Sequence, residues 1–369
     1  MKEISPLFEG VYDPRRSNAT RYDLHEMLII GLLSTLSGGE TCSDMALYGR
    51  LKEDFLRRFL TLRHGIPSHD AFSDLFNALD PENFQTVLLR LVKDFADDLD
   101  GVIAIDGKAL RRSFDKASKR SALHLVQAFA SSTQLVLGQV AVNEKSNEIT
   151  AMPKLIELLD IKGRIVTADA MHTQRSTSET IVKAGGDYVL ALKGNQGAIH
   201  EDVKLFFNDD EQIKLCDMAQ TIDADHGRIE TRIAHITDDI EWLKESYDWP
   251  GLCAIGKVTG LRETPDGKTS KHTRYYLLST ALPAERFLSA VRAHWSIENS
   301  LHWVLDVTMN EDVLRNRTEN GPENLALMRR IALNIARQEP SKGSVRGKIK
   351  QAAWSVEFTL DMIRAAVKV

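Results

Sequence analysis

Cysteine is scarce in this chain of 369 residues: Cys42, Cys216 and Cys253 are odd in number, far apart and free of any CxxC spacing. That argues against a disulfide framework and a structural zinc site, and for a reducing compartment. No run of about 18 apolar residues occurs, so no membrane-spanning helix is expected. The opening MKEISPLFEG has no apolar core of the signal-peptide kind, so a cytoplasmic protein without membrane partners is expected. An excess of positive charge is also missing. Lys and Arg number 47 against 52 Asp and Glu, a net charge of −5, which is not the overall signature of a nucleic-acid binder. No internal repeat or low-complexity tract is visible.

Local charge differs from the total. Lys108, Arg111, Arg112, Lys116, Lys119 and Arg120 cluster in one segment, and Arg329, Arg330, Arg337, Lys342, Arg346, Lys348 and Lys350 in another. Either run alone reads as a solvated face, but both lie beside other features of interest.

Residues 1–100 read as short helices forming a small all-α domain. Ser68 is a candidate N-cap after the turn at Gly65 and Pro67, and the His69–Leu79 stretch makes a helix-turn-helix or plain bundle packing equally readable. From Gly101 the texture becomes β-β-β-α-β-α-β, an α/β unit over 101–194 with a mixed five-stranded sheet. Residues 195–282 read as a β-rich insertion, with PDGK (265–268) as a hairpin turn. Helices return over 283–340, and 341–369 reads as a basic helical tail.

GVIAIDGK ends an apolar run at Asp106, and RIVTADA ends another at Asp169. Ligands bind beyond strand ends in open α/β sheets. If these strands are neighbours, about 4.8 Å apart, their carboxylates can share a hard divalent cation such as magnesium or manganese. Read alone, each Asp is as readily a turn cap. A third carboxylate, Glu298, lies in HWSIENSLHWVLDVTMNED. There Ile297, Leu301, Val304 and Thr308 mark the buried face of an unbroken helix, with His294, Glu298 and His302 along its edge. Asp306 is placed to hold His302, and Trp295 and Trp303 read as core residues, with base stacking as the alternative. Glu311 and Asp312 are rival third acids, but Glu311 would lie about 20 Å along the helix from Glu298.

IAIDGKALRRS, KSNEITAMPKLIELLDIKG, TADAMHTQ, GGDYVLALKGNQG, DHGRIETR and the HWSIEN stretch resemble, in order, the motifs of DDE transposases of bacterial insertion sequences, nearest the H-repeat-associated group of Rhs elements. The segments YDLHEMLIIGLLSTLSGGETCSDMALYGR and GIPSHDAFSDLFNALDP look like that group's transposase-associated domain. The resemblance implies an RNase H-like catalytic core interrupted by a β-rich insertion, and a triad of Asp106, Asp169 and Glu298 holding two Mg2+ or Mn2+ ions. It implies cleavage at element ends and joining of the 3′-hydroxyl to target DNA. Double-stranded DNA would be the partner, and a homodimer assembled on it the acting form, associated with the nucleoid.

The Tyr, Arg and Lys common around the glutamate of the wider superfamily are replaced here by Val291, His294 and Leu305, so His294 or Arg292 is expected to take the phosphate contact. Lys108, Arg111, Arg112, Lys193 and Asn195 complete the expected DNA contacts, and His302 and Asp306 the expected support around the acids. Two other readings stand beside this one. A histidine metal site on the helix has no known zinc spacing. A relic protein that binds DNA without cutting it would keep the same motifs.

Overall fold

The computed structural model describes residues 5–15, 20–93, 101–114, 121–142, 148–225 and 228–366. Its centre is one mixed sheet. The strands are β1 (Val102–Leu110), β2 (Leu123–Ala130), β3 (Leu135–Val142), β4 (Ile165–Ala168), β5 (Asp187–Leu192), β6 (Asp217–Asp225), β7 (Arg228–Thr237), β8 (Ala254–Glu263) and β9 (Thr269–Leu278). They lie in the order β3-β2-β1-β4-β5-β9-β8-β7-β6. β1, β4 and β5 run parallel, and the remaining pairings are antiparallel. The parallel strands are the apolar runs of the sequence: Val102–Ile105 and all of β4 are buried, as strands covered on both faces must be.

The expected five-stranded sheet is thus nine-stranded. The stretch read as an insertion joins it by pairing β9 to β5, from Val189↔Leu278 to Leu192↔Tyr275. Local periodicity marks strands but not their partners, so nothing in 195–282 announced that its last strand docks on the first half. The Ala284–Ser296 helix crosses β1, β4, β6 and β7 and ties the halves together, with Phe287 and Leu288 buried against Val102, Ile165, Ala234 and Val258. Gly256 is glycine for close packing, because a Cβ there would sit 2.4 Å from the Phe287 ring.

That helix is not regular to its end. A π-helical segment, Ile297–His302, joins Ala284–Ser296 to a short α-helix, Trp303–Val307, and the Trp303 amide donates to the Glu298 carbonyl. The wider turn advances the register, so the deeply buried residues are Ile297, Leu301 and Leu305, whereas Val304 is only half-buried. Trp295 and Trp303, expected in the core, are 44% and 57% exposed.

Four of the seven cations between Arg329 and Lys350 are not a solvated face. The Gly321–Gln338 helix is almost wholly buried, and the N-terminal helices Leu24–Leu36, His69–Ala78 and Pro81–Lys93 pack on it. Arg329 donates to the carbonyls of Leu325 and Glu40, and Arg337 to those of Gln134 and Ser300. Lys348 pairs with Glu339, and Arg330 forms a bidentate pair with Glu311, at 3.0 Å for the Nη2–Oε2 contact. Lys342, Arg346 and Lys350 are exposed. Lys116, Lys119 and Arg120 of the other run lie outside the described residues. The His69–Ala78 helix buries Phe72, Leu75 and Phe76 and turns Asp70 and Asp74 outward, with no Lys or Arg. Outward acids oppose contact with phosphates, and the buried face packs as in a helical bundle.

Arg330 and Glu311 are both sequestered, with side chains 0% and 1% exposed. Burial pushes the Glu311 carboxyl up, yet Arg330, together with Arg329 and Lys108, outweighs this and holds it below its ordinary value. Glu311→Gln is expected to lower unfolding stability by about 3–5 kcal/mol in urea, because it strands a buried guanidinium. Replacing both partners with apolar residues should recover most of that loss.

Candidate active site

Parallel pairing of β1 and β4 ends at Ile105↔Ala168, and the next residue on each strand is an aspartate. The two are held differently. β1 does not stop at Asp106, as its apolar run suggested, but continues to Leu110 paired with β2, where Asp106 faces Gln127. Asp106 Oδ1 accepts from the Gly107 amide at 2.9 Å. At Asp169 the chain turns, and its Oδ1 accepts from the amides of Met171 (3.1 Å) and His172 (3.2 Å). The KGNQ loop after β5 clamps this turn. Asn195 Nδ2 donates to the Ala170 carbonyl at 2.8 Å and Gln196 Nε2 to that of Thr173 at 2.5 Å.

Glu298 reaches the strand ends from the π-helical segment. Donor atoms of Asp106, Glu298 and His302 lie within 4.8 Å of one another. Asp106, Asp169 and Glu298 line one cavity of about 240 Å3, together with Thr167, Lys193, His294 and Trp295. Burial, then the charges of Asp169 and Glu298, raise the Asp106 carboxyl from 3.8 to about 7. The Gly107 amide and His172 offset only part of this.

The family described as Transposase DDE domain matches residues 97–335, and that described as DDE_Tnp_1-associated matches 6–92. The chain is 36% identical over 376 residues to YhhI of Escherichia coli (strain K12), by name an H repeat-associated transposase, with 98% of each chain covered. It is 35% identical over 353 residues to YncI of Escherichia coli O157:H7, also named as a transposase, covering 92% of this chain and 89% of that one. The chain belongs to the DDE transposase family. Among solved structures, a piggyBac transposase synaptic complex with hairpin DNA matches all of this chain and 78% of that one, at a TM-score of 0.43 and 12% identity.

Family members generally use divalent metal, and the donor set in this transposase fits one. Three carboxylates supply hard oxygen ligands. The buried His302 Nε2 has no hydrogen-bond partner, and burial, aided by the Lys108 charge, lowers that imidazole to about 4, leaving it neutral and able to donate a lone pair. His302 Nδ1 lies 3.8 Å from Asp106 Oδ2, so the imidazole faces the acid rather than Asp306.

Asp306 does not hold His302; it takes Lys108, Nζ to Oδ1 at 2.5 Å, with Asp312 at 3.6 Å. Lys108 is therefore a buried cross-link between β1 and the Glu298 helix, not a free phosphate contact. His294 Nδ1 lies 3.1 Å from Thr167 Oγ1, and burial outweighs the attraction of Asp169, lowering it to about 4. It lines the cavity as a neutral group and cannot replace an arginine by charge. Arg111 and Arg112 are exposed, Arg111 lying 3.4 Å from Asp312. Arg292 is exposed and pairs with Asp223 at 3.0 Å. Lys193 is exposed at the cavity wall.

Sequence reasoning passed over Glu148 and His172. The fully buried His172 Nε2 lies 3.4 Å from Glu148 Oε2, and His124 Nδ1 lies 3.2 Å from Oε1. These contacts, His172 first, keep the Glu148 carboxyl below its ordinary range. Glu148 and His172 do stand in the KSNE and TADAMH motifs, the only signal that marked them.

Asp106 has a raised value in the folded chain, so its protonated form stabilises the fold. That contribution is complete below about pH 4 and is lost as pH rises to about 7. In metal-free buffer Asp106→Asn is expected to match the parent near pH 4. Above pH 7 it should exceed the parent by at most about 4 kcal/mol in denaturant titrations. A variant less stable than the parent at pH 8 would contradict the buried-charge reading.

Proposed function

We propose that this transposase cuts phosphodiester bonds at the ends of a mobile DNA element and joins the exposed 3′-hydroxyl to target DNA. Asp106, Asp169 and Glu298 are its catalytic acids. The convergence of three carboxylates, two from where the β1–β4 pairing ends and one from a helix far away in sequence, on one small cavity carries this reading. We read the β1–β5 half and the Glu298 helix as an RNase H-like core, and the acting form as a homodimer on DNA in the bacterial cytoplasm. Among the described residues no helix is long and apolar enough to cross a membrane.

Asp106, Asp169 and Glu298 would hold two Mg2+ or Mn2+ ions, which when bound would supply an activated nucleophile and charge for the leaving oxygen. The chain's own groups prepare that site. Buried Ile297 and Leu301 anchor the segment carrying Glu298, so its carboxylate is positioned by packing. Amides of Gly107, Met171 and His172 orient the two aspartates, and the KGNQ loop holds the Asp169 turn. Exposed Lys193 is placed to meet a phosphate at the cavity wall.

A second groove, of about 630 Å3, shares Arg274, Tyr276, Val291 and Trp295 with the cavity and continues along β7–β9 past Arg232, Arg262 and Arg292. The Arg274 guanidinium stacks 4.0 Å from the Trp295 ring centroid. Arg232 and Arg292 share Asp223, which leaves Arg262 and Arg274 as the stronger cationic ground. We read this groove as the path of the DNA strand leaving the site, with arginines on phosphates and exposed Trp295 against a base.

Purified protein incubated with its flanking genomic ends and Mg2+ or Mn2+ should yield nicks bearing 3′-hydroxyls. Asp106→Asn, Asp169→Asn and Glu298→Gln should each abolish nicking while leaving DNA affinity nearly intact. DNA binding without nicking under either metal would leave a relic binding protein and overturn the cleavage assignment. Arg262→Ala with Arg274→Ala should weaken binding to all sequences and flatten the salt dependence by about one unit of slope per lost phosphate contact. An unchanged slope would remove the groove from the DNA path.

A further inference from the structure

Glu148 is the first residue of the Glu148–Glu157 helix, and nothing in the proposed chemistry uses it. Asp106 and Gly107 are consecutive on β1, so their side-chain directions point to opposite faces of the sheet. On the Gly107 face sits the Glu148 carboxylate: a Cβ built on Gly107 would lie 2.3 Å from Oε2 and 2.7 Å from Cδ. The same carboxylate faces the buried His172 ring, Nε2 to Oε2 at 3.4 Å. Gly107 and His172 are the residues whose amides donate to Asp106 Oδ1 and Asp169 Oδ1. One carboxylate behind the sheet therefore packs against Gly107 and the His172 ring, two residues whose amides help aim the two aspartates.

We propose that Glu148 is a positioning residue for the metal-binding aspartates, setting their separation through Gly107 and His172. The glycine after Asp106 is required by this contact rather than by a turn. Its backbone has no positive φ, and the strand runs on through it. A side chain at 107 would push Glu148 away and, with it, the support of both amides. His124, 3.2 Å from Oε1, holds the carboxylate from its other side, so the contact is braced. Groups that orient metal ligands from behind commonly change metal affinity about 10- to 100-fold when altered.

The inference rests on Asp106 and Asp169 being the metal ligands. It is tested by calorimetric titration of Mn2+ into the full chain without DNA, with thermal unfolding of the metal-free proteins alongside. Glu148→Gln should raise the Mn2+ Kd about 10- to 100-fold with little change in metal-free Tm. Nicking should return toward the parental rate as Mn2+ is raised. Gly107→Ala should weaken Mn2+ binding similarly, and Gly107→Ala with Glu148→Ala should bind no worse than Glu148→Ala alone, because the clash is then gone. A lower Tm with an unchanged Mn2+ Kd of the folded protein would make Glu148 merely structural and overturn the proposal. Additive losses in the double variant would do the same. If the parent itself binds no Mn2+, the ligand assignment fails first and takes this inference with it. If the parent binds and Glu148→Gln binds equally well, only this inference fails.

Discussion

The parallel pairing of β1 with β4 is the constraint on which the rest of the structure depends. It ends at Ile105↔Ala168 and leaves Asp106 and Asp169 as the first residues beyond shared hydrogen bonding. Neighbouring strands lie about 4.8 Å apart, so register alone brings two carboxylates within reach of a common ligand. A one-residue slip would turn one of them to the opposite face of the sheet. The buried runs Val102–Ile105 and Ile165–Ala168 hold that register by close packing on both faces, which a slip would force to repack.

Concentrating like charge in this way is unfavourable until something compensates it. The raised Asp106 carboxyl is the physical trace of that tension, with burial as its largest cause and the neighbouring acids adding to it. The surrounding groups are arranged around the deficit. His294 and His302 are kept neutral by burial, so neither neutralises the acids as a cation. Lys108, the nearest lysine in sequence, is drawn away to Asp306 and Asp312. None of these three side chains thus neutralises the acids, while Lys108 uses its own charge to fasten β1 to the Glu298 helix.

The nine-stranded sheet gives the acids a rigid frame and a neighbouring groove. Pairing of β9 with β5 brings the arginines of β7–β9 to the cavity mouth. On the opposite side of the chain's charge balance, three cations of the Gly321–Gln338 helix, and Lys348 beyond it, serve as internal fasteners, with Arg330 and Glu311 at the centre. Surface positive charge is then carried by exposed side chains on the strands and at Arg111 and Arg112.

Much of the catalytic half was legible in the sequence. Apolar strand runs ending in Asp106 and Asp169, and a helix carrying Glu298 beside buried Ile297 and Leu301, follow from periodicity, which reports how each segment meets the core. What periodicity does not carry is the identity of a partner distant in the chain. The docking of β9 on β5, the capture of Lys108 by Asp306 and the burial of Arg330 on Glu311 are through-space choices between residues whose local patterns look like solvated strands or charged helix faces. The π turn at Ile297–His302 is likewise hidden, because one extra residue per turn changes the register only after the helix has packed. The sequence by itself determined which acids are offered and in what order along the chain. Packing across the chain settled which cations remain exposed, how far each tryptophan of the Glu298 helix is uncovered, and that the Glu148 carboxylate lies against Gly107 and His172, because charge pairing and close packing act across space while sequence patterns act along the chain.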